Sequence, residues 1–182
     1  MWRDYITPKI RRFNKSVRIE RVCQKWRRNH FGSLYLKENM ATKAVFMDRD
    51  GIINRDLGYV YRIEDFQFND GIFDLARLFQ EAGYLLIVVT NQSGIGRGFY
   101  TLAQFQTLTE WMQAQFLAQQ TPIAQVYFCP HHPNEQCHCR KPDIGMVEQA
   151  VQDYSIDLSV SWMIGDKASD IELAKNAGIA HS

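Results

Sequence analysis

Apolar residues follow two repeating patterns from residue 43 onward: short continuous runs, and longer segments with helical spacing. The short runs predict four buried strands, over residues 44–47, 84–89, 123–128 and 160–164. The helical spacing predicts four helices, over residues 72–82, 102–119, 143–154 and 169–177. Thr101 has the side chain of an N-cap for the second helix. Strands that alternate with helices predict an α/β fold, a parallel sheet with helices on both faces.

Polar residues stand at the ends of three of these strands: Asp48 after the first, Thr90 after the second and Asp166 after the fourth. Because ligands of parallel sheets bind beyond the carboxyl ends of the strands, we expect these side chains to share one site. Asp50 lies two residues after Asp48, so both carboxylates can face the same side of an extended chain. Clustered carboxylates repel each other, and a hard cation such as Mg²⁺ relieves that repulsion while binding phosphate oxygens.

Two further segments carry groups suited to holding a phosphoryl group. Thr90 opens the segment Thr90-Asn91-Gln92-Ser93-Gly94, whose hydroxyl and backbone amides are typical phosphate donors. Arg140 and Lys141 add two adjacent cations. Each segment alone is also typical of an ordinary turn or of solvated surface. The prediction of a phosphate site therefore depends on their combination with the acidic strand ends.

Three of the four cysteines lie close together in the sequence, and a histidine accompanies them. The four residues are Cys129, His131, Cys137 and Cys139. Three thiolates and one imidazole suit tetrahedral Zn²⁺, and clustered cysteines without secretory features favour a metal site over disulfides. The alternative is a group of ordinary reduced cysteines near surface histidines. Spacing alone leaves His132 and His138 open as ligands.

Charge divides the chain into two parts. Residues 1–42 contain eleven Lys or Arg and three acidic residues, whereas residues 43–182 contain ten basic and seventeen acidic residues. This asymmetry predicts a basic N-terminal extension over residues 1–39 and one globular domain over residues 40–182. No apolar segment has the length of a membrane span or the character of a signal peptide, so we expect a cytoplasmic monomer with no membrane contact.

A non-enzymatic alternative is a zinc-containing nucleic-acid-binding module. The mixture of basic and aromatic residues in the N-terminal extension favours it, since such a segment gives an electrostatic contact to phosphates. The domain over residues 40–182 is acidic, however, and a binding module does not need acidic and hydroxyl groups at three strand ends. We therefore expect no nucleic-acid partner.

The motifs occur in a recognisable order. They are Asp-Arg-Asp-Gly at 48–51, Thr-Asn at 90–91, Lys-Pro at 141–142 and Gly-Asp-x-x-x-Asp at 165–170. This set resembles the four motifs of phosphatases of the haloacid dehalogenase (HAD) superfamily. Within that superfamily, segments 56–59, 90–98, 129–133 and 139–142 resemble the D-glycero-D-manno-heptose 1,7-bisphosphate 7-phosphatase family. The resemblance implies a Rossmann-like HAD fold with a zinc-binding loop and no large cap domain.

The resemblance also implies how the acidic residues act. Asp48 would be the nucleophile that forms an aspartyl-phosphate, and Asp50 would serve as general acid and then as general base. Mg²⁺ would be held by the Asp48 carboxylate, the Asp50 main-chain carbonyl and Asp166. In the zinc site the resemblance favours His131, and the zinc would be structural because no coordination position is left open.

The remaining roles concern phosphate and sugar. Thr90 and Lys141 would hold the transferring oxygens, Arg140 would contact the substrate, and Asp170 would orient Lys141 or the waters on the metal. The substrate contacts implied for the rest of the sugar phosphate are Asp56, Leu57, Gly58, Tyr59, Asn91, Gln92, Ser93 and Lys167.

The implied substrate is a heptose bisphosphate that is dephosphorylated at position 7 during synthesis of ADP-heptose and lipopolysaccharide core precursors. The alternative within the superfamily is histidinol-phosphate phosphatase, which shares the zinc loop. That group typically has Asp where this chain has Ser93, which favours the heptose substrate. Leu57 stands where the heptose family frequently has His, so the sequence leaves open whether the substrate is the α or the β anomer at the first carbon of the sugar. Because the family usually continues past residue 182, we expect the last strand to be absent.

Overall fold

The computed structural model describes residues 42–182, and the predicted extension over residues 1–39 lies outside the described residues. Their centre is a parallel sheet with the strand order β3-β2-β1-β4. The strands are β1 (Ala44–Met47), β2 (Leu85–Asn91), β3 (Gln125–Cys129) and β4 (Trp162–Ile164). The four predicted strands and the parallel arrangement are confirmed.

The helices follow the predicted order, with one short addition. They are α1 (Ile72–Glu81), α2 (Ser93–Gly96), α3 (Leu102–Ala118), α4 (Gly145–Tyr154) and α5 (Ala168–Ala177). Thr101 caps α3 as predicted: its hydroxyl accepts from the Gln104 N–H, and the Gln104 side chain accepts from the Thr101 N–H. The single turn α2 was not predicted, since four residues are too few to show a helical period.

Three strands have bounds that differ from the prediction: the second is Leu85–Asn91 rather than residues 84–89, and two others begin two residues late. The third strand begins at Gln125 rather than at residue 123, and the fourth begins at Trp162 rather than at residue 160. Before the fourth strand, Leu158–Val160 forms a 3₁₀ turn, because the Asp157 carboxylate accepts the Ser159 N–H at 2.9 Å. Apolar residues alone do not distinguish such a turn from the start of a buried strand.

Alternate residues of the strands pack against two separate helical layers. Val45, Met47, Leu86 and Val88 face α1 and α3, whereas Phe46, Ile87, Val89 and Tyr127 face α4 and α5. Because both faces are covered, the strands are mainly apolar, as the continuous runs predicted.

The order of the strands reverses between β1 and β4, which are neighbours in the sheet although they are distant in sequence. Such a reversal opens a crevice at the carboxyl ends of the strands. The described residues form four strands, and at the edge of β4 an isolated parallel bridge joins Trp162 to His181. Within residues 42–182 no helix combines the length and the apolar character needed to cross a membrane.

Candidate active site

Three carboxylates meet at the crevice between β1 and β4. Asp48 follows β1, Asp166 follows β4, and Asp170 lies in the first turn of α5; one oxygen of each lies within 4.8 Å of the others. Gly51 makes this approach possible, because a Cβ at that position would overlap the Asp166 carboxylate. The structure therefore places Asp48 and Asp166 together, as the strand ends predicted.

Lys141 is the cation of this cluster. Its ammonium group forms ion pairs with Asp48 Oδ1 at 2.9 Å and with Asp170 Oδ1 at 2.6 Å, and donates to the Val89 carbonyl at 3.0 Å. Lys141 is only 4% exposed, so these contacts form with little competition from water. Burial raises the pKa of the Asp48 carboxyl, and the charge of Lys141 offsets part of that rise.

The backbone that carries Lys141 is fixed by Asn91, at the end of β2. The Asn91 amide donates to the Lys141 carbonyl at 3.2 Å, and its oxygen accepts the Lys141 N–H at 3.0 Å. Both ends of the Asn91 side chain are thus used inside the protein, and its predicted contact with substrate stays a prediction. The neighbouring Arg140 is half-buried, and its Nη1 has no hydrogen-bond partner among the described residues.

Asp50 occupies a different environment from Asp48. The guanidinium of Arg49 contacts Asp50 through Nε at 3.1 Å and through a terminal nitrogen at 2.8 Å, and Asn54 Nδ2 donates to the same carboxylate at 3.0 Å. Arg49 is 1% exposed and also donates to the Val60 carbonyl. The sequence analysis gave Arg49 no role. Its position between Asp48 and Asp50, directly after a buried strand, was the feature that could have indicated one.

Gln92 connects the Asp50 side of the site to Thr90. Its Nε2 donates to Thr90 Oγ1 at 2.8 Å and to Asp50 Oδ2 at 3.0 Å. Since Gln92 is 2% exposed, its side chain holds protein groups in place. The predicted contact of Gln92 with substrate is not tested by this arrangement. Ser93 follows it as the first residue of α2.

The rim of the site is more open. Lys167 forms an ion pair with Asp56 Oδ2 at 3.0 Å, and Asp56 Oδ1 accepts the Gly58 N–H at 3.1 Å. Leu57 and Tyr59 are exposed, and the Tyr59 ring packs edge-on against Phe99 with centroids 4.7 Å apart. The hydrogen bond from Lys167 lowers the pKa of Asp56. Burial alone would lower the pKa of Lys167, but the bond and charge of Asp56 raise it overall.

The cysteine loop forms a second cluster with the spacing of metal ligands. Cys129 Sγ lies 3.7 Å from Cys137 Sγ and 3.6 Å from His131 Nδ1, which is 3.2 Å from Cys139 Sγ. All four ligand atoms lie within 4.8 Å of one another. A tetrahedron with Zn–S bonds of about 2.3 Å has edges of about 3.8 Å, so the arrangement suits zinc.

The two alternative histidines have other partners. His132 Nδ1 accepts the Asn134 N–H at 3.1 Å, and His138 Nε2 lies 2.6 Å from a carboxylate oxygen of Glu148. His131, the histidine that the family resemblance favours, is the one whose ring nitrogen lies among the thiols.

Known proteins are similar in sequence over most of this chain. A curated D-glycero-alpha-D-manno-heptose-1,7-bisphosphate 7-phosphatase from Burkholderia mallei is 48% identical over 147 residues, which cover 77% of this chain and 78% of the relative. The chain belongs to the heptose-1,7-bisphosphate 7-phosphatase family. Another member, the D-glycero-beta-D-manno-heptose-1,7-bisphosphate 7-phosphatase of Haemophilus ducreyi, is 47% identical over 77% of this chain and 81% of its own length.

A family model and a solved structure agree with this membership. Residues 138–181 match a model described as HAD-hydrolase-like, a segment that contains Lys141, Asp166 and Asp170. A crystal structure of D,D-heptose 1,7-bisphosphate phosphatase from B. bronchiseptica, complexed with magnesium and phosphate, is similar with a TM-score of 0.72 and 28% identity. The structural match covers 77% of the present chain and 79% of the solved chain.

Proposed function

We propose that this chain removes the 7-phosphate of D-glycero-D-manno-heptose 1,7-bisphosphate in a Mg²⁺-dependent reaction, with Asp48 as the nucleophile. The observation that carries the proposal is the buried Asp48 carboxylate, paired with Lys141 at 2.9 Å beside Asp166 at the carboxyl ends of the strands. Family membership supports the substrate. The reaction would be one step in the synthesis of ADP-heptose and lipopolysaccharide core precursors.

The donor set fits Mg²⁺. The carboxylates of Asp48 and Asp166 and the main-chain carbonyl of Asp50 are oxygen ligands, which a small hard cation prefers. The glycine at position 51 leaves the space that the Asp166 carboxylate needs beside the β1 loop. When bound, the ion supplies positive charge that neutralises the clustered carboxylates and the phosphate oxygens.

Asp48 and Asp50 have different roles in the proposed reaction. An Asp48 oxygen attacks the phosphorus at position 7, and Asp50 gives its proton to the departing sugar alkoxide as that P–O bond breaks. Asp50 then takes a proton from the water that attacks the aspartyl-phosphate, which frees Asp48 and inorganic phosphate. Thr90 and Lys141 stabilise the charge on the transferring oxygens.

The open rim accommodates the rest of the substrate. Arg140 and Lys167 are cations suited to phosphate or hydroxyl oxygens, and the buried Arg140 Nη1 has no hydrogen-bond partner within residues 42–182. The exposed loop from Asp56 to Tyr59 offers contacts to the sugar. Between β1 and α1 the chain has a loop and one 3₁₀ turn, with no separate cap domain, so short loops must provide the specificity.

A direct assay tests the substrate. Phosphate release is measured from the α and β anomers of the heptose bisphosphate and from histidinol phosphate, each with Mg²⁺ and with a chelator. We expect Mg²⁺-dependent turnover that favours a heptose bisphosphate. Relatives are named for both anomers, so the two anomers are assayed separately. A preference for histidinol phosphate would overturn the substrate while leaving the chemistry, and folded protein without turnover would overturn the function.

The proposal also includes a structural zinc ion held by Cys129, His131, Cys137 and Cys139. This loop leads directly into Arg140 and Lys141, so zinc would act by fixing the segment that carries both cations. A cytoplasmic location and a monomeric state complete the proposal. Support for the location comes from the cysteine cluster, which is free of disulfides among the described residues and suits a reducing compartment.

A further inference from the structure

Tyr100, which the sequence pattern did not single out, closes a chain of hydrogen bonds that ends at Asp50. Its hydroxyl donates to Gln92 Oε1 at 2.6 Å. The other end of the Gln92 amide donates to Thr90 Oγ1 and to Asp50 Oδ2. Tyr100 is 5% and Gln92 2% exposed, so water competes little for these hydrogen bonds.

The tyrosine hydroxyl decides which end of the Gln92 amide faces Asp50. A side-chain amide has a donor end and an acceptor end. In the observed orientation, the NH₂ group of Gln92 donates to both Asp50 and Thr90. Rotated by half a turn, the amide would direct its oxygen at the Asp50 carboxylate, so that two acceptor oxygens would face each other. The Tyr100 hydroxyl supplies the donor that the amide oxygen needs, and thereby stabilises the productive orientation.

The Tyr100 ring is held by packing that does not involve its hydroxyl. A Cβ at Gly94 would overlap the Tyr100 ring, so a glycine at this position leaves the space that the ring occupies. Tyr61 stacks on the ring with centroids 5.2 Å apart and planes 11° apart. Burial raises the pKa of Tyr100 to about 12, so the hydroxyl keeps its proton at neutral pH.

We propose that Tyr100 and Gln92 are positioning residues, which hold the Asp50 carboxylate and the Thr90 hydroxyl in one fixed arrangement for proton transfer and phosphate binding. Arg49 and Asn54 also donate hydrogen bonds to the Asp50 carboxylate, so the carboxylate is fixed on several sides. The inference rests on the proposed function, because it gives these residues their purpose through the acid–base role of Asp50.

The first test removes a single oxygen atom. In Tyr100→Phe, kcat for the heptose bisphosphate should fall about tenfold, the effect of losing one buried hydrogen bond in the transition state. KM should stay within about twofold, because no group that contacts substrate has been removed. Tyr61→Phe is the matched control: it removes a hydroxyl from the stacked ring and should leave kcat unchanged. Wild-type kcat in Tyr100→Phe, or an equal loss in the control, would overturn the proposal.

The second test asks whether the hydroxyl acts through Gln92. In a Gln92→Leu background, Tyr100→Phe should cause no further loss of kcat, because the group through which it acts is absent. A tyrosine needed only for packing would give the same loss in both backgrounds, which would contradict a positioning role.

A third readout does not depend on turnover. In NMR spectra, the Gln92 side-chain NH₂ protons should exchange slowly with solvent, and Tyr100→Phe should speed that exchange. If wild type has no heptose bisphosphatase activity but shows this behaviour, the proposed function fails while the hydrogen-bond chain stands. If exchange is fast in wild type, the chain itself is refuted.

Discussion

The centre and the rim of the site are built in opposite ways. At the centre, Asp48, Lys141 and Asp170 are each at most 4% exposed, and every one has a charged partner. At the rim, Leu57 is 58% and Tyr59 46% exposed, and the ion pair between Asp56 and Lys167 is open to solvent. The centre is therefore fixed by many contacts, whereas the rim depends on few.

This difference separates two tasks. Phosphoryl transfer requires charges held in a preorganised, dry arrangement, so that little reorganisation accompanies the reaction. Choice of substrate requires contacts that can differ between relatives without disturbing the chemistry, and exposed loops provide such contacts. Substitutions at the centre should therefore change kcat strongly, and substitutions at the rim should mainly change KM.

The largest effect is expected for Asp48→Asn. The amide has nearly the shape of the carboxylate but is a poor nucleophile, so turnover should fall by about 10³-fold or more. Burial already disfavours the charged form of Asp48, so loss of its charge should leave the melting temperature without Mg²⁺ equal or higher. Phosphate release and thermal unfolding measure the two effects. Substantial remaining turnover would refute Asp48 as the nucleophile.

Much of this centre follows from local sequence patterns, and the rest does not. Apolar runs that end at Asp48, Thr90 and Asp166 are enough to predict convergence, because parallel strands end at one edge of the sheet. The bond between Asn91 and the Lys141 backbone joins residues 50 positions apart, and no local period encodes it. The link from Tyr100 to Gln92 depends likewise on how α2 turns the chain.

The next largest effect is expected for Lys141→Met. Removal of the buried cation leaves Asp48 and Asp170 facing each other, which should lower the free energy of unfolding by about 3 kcal/mol without metal. The rate should fall by about 10²-fold, since a charge that stabilises the transferring oxygens is lost. Denaturant unfolding and kcat are measured beside Lys175→Met, which removes an exposed lysine. Equal unfolding free energies in the two variants would contradict the central role of Lys141.

An intermediate effect is expected at the cysteine loop. Cys137→Ser should lower the zinc content of the purified protein, its melting temperature and its kcat, the last by about tenfold to a hundredfold. The rate should fall because the loop leads into Arg140 and Lys141. Elemental analysis measures the metal, with His132→Ala as the control that alters a histidine outside the cluster. Zinc lost from the control but retained in Cys137→Ser would exclude the proposed ligand set.

The smallest effect is expected for Lys167→Met at the rim. KM should rise about fivefold while kcat and stability change little, because the ion pair with Asp56 is solvent-exposed.

The pKa of Asp56 lies below its usual 3.8 and that of Lys167 above its usual 10.5, so both groups stay charged between these values. The small stabilisation from the pair is lost as pH falls through the lowered pKa of Asp56, or rises through the raised pKa of Lys167. Above the second pKa of a sugar phosphate, about 6, the substrate charge is also fixed, so the ratio of wild-type to variant KM should be constant from about pH 7 to 9. Measurement of KM across this range is decisive: a ratio that changes with pH would show that Lys167 loses its charge there, and a fall in kcat alone would place Lys167 with the centre.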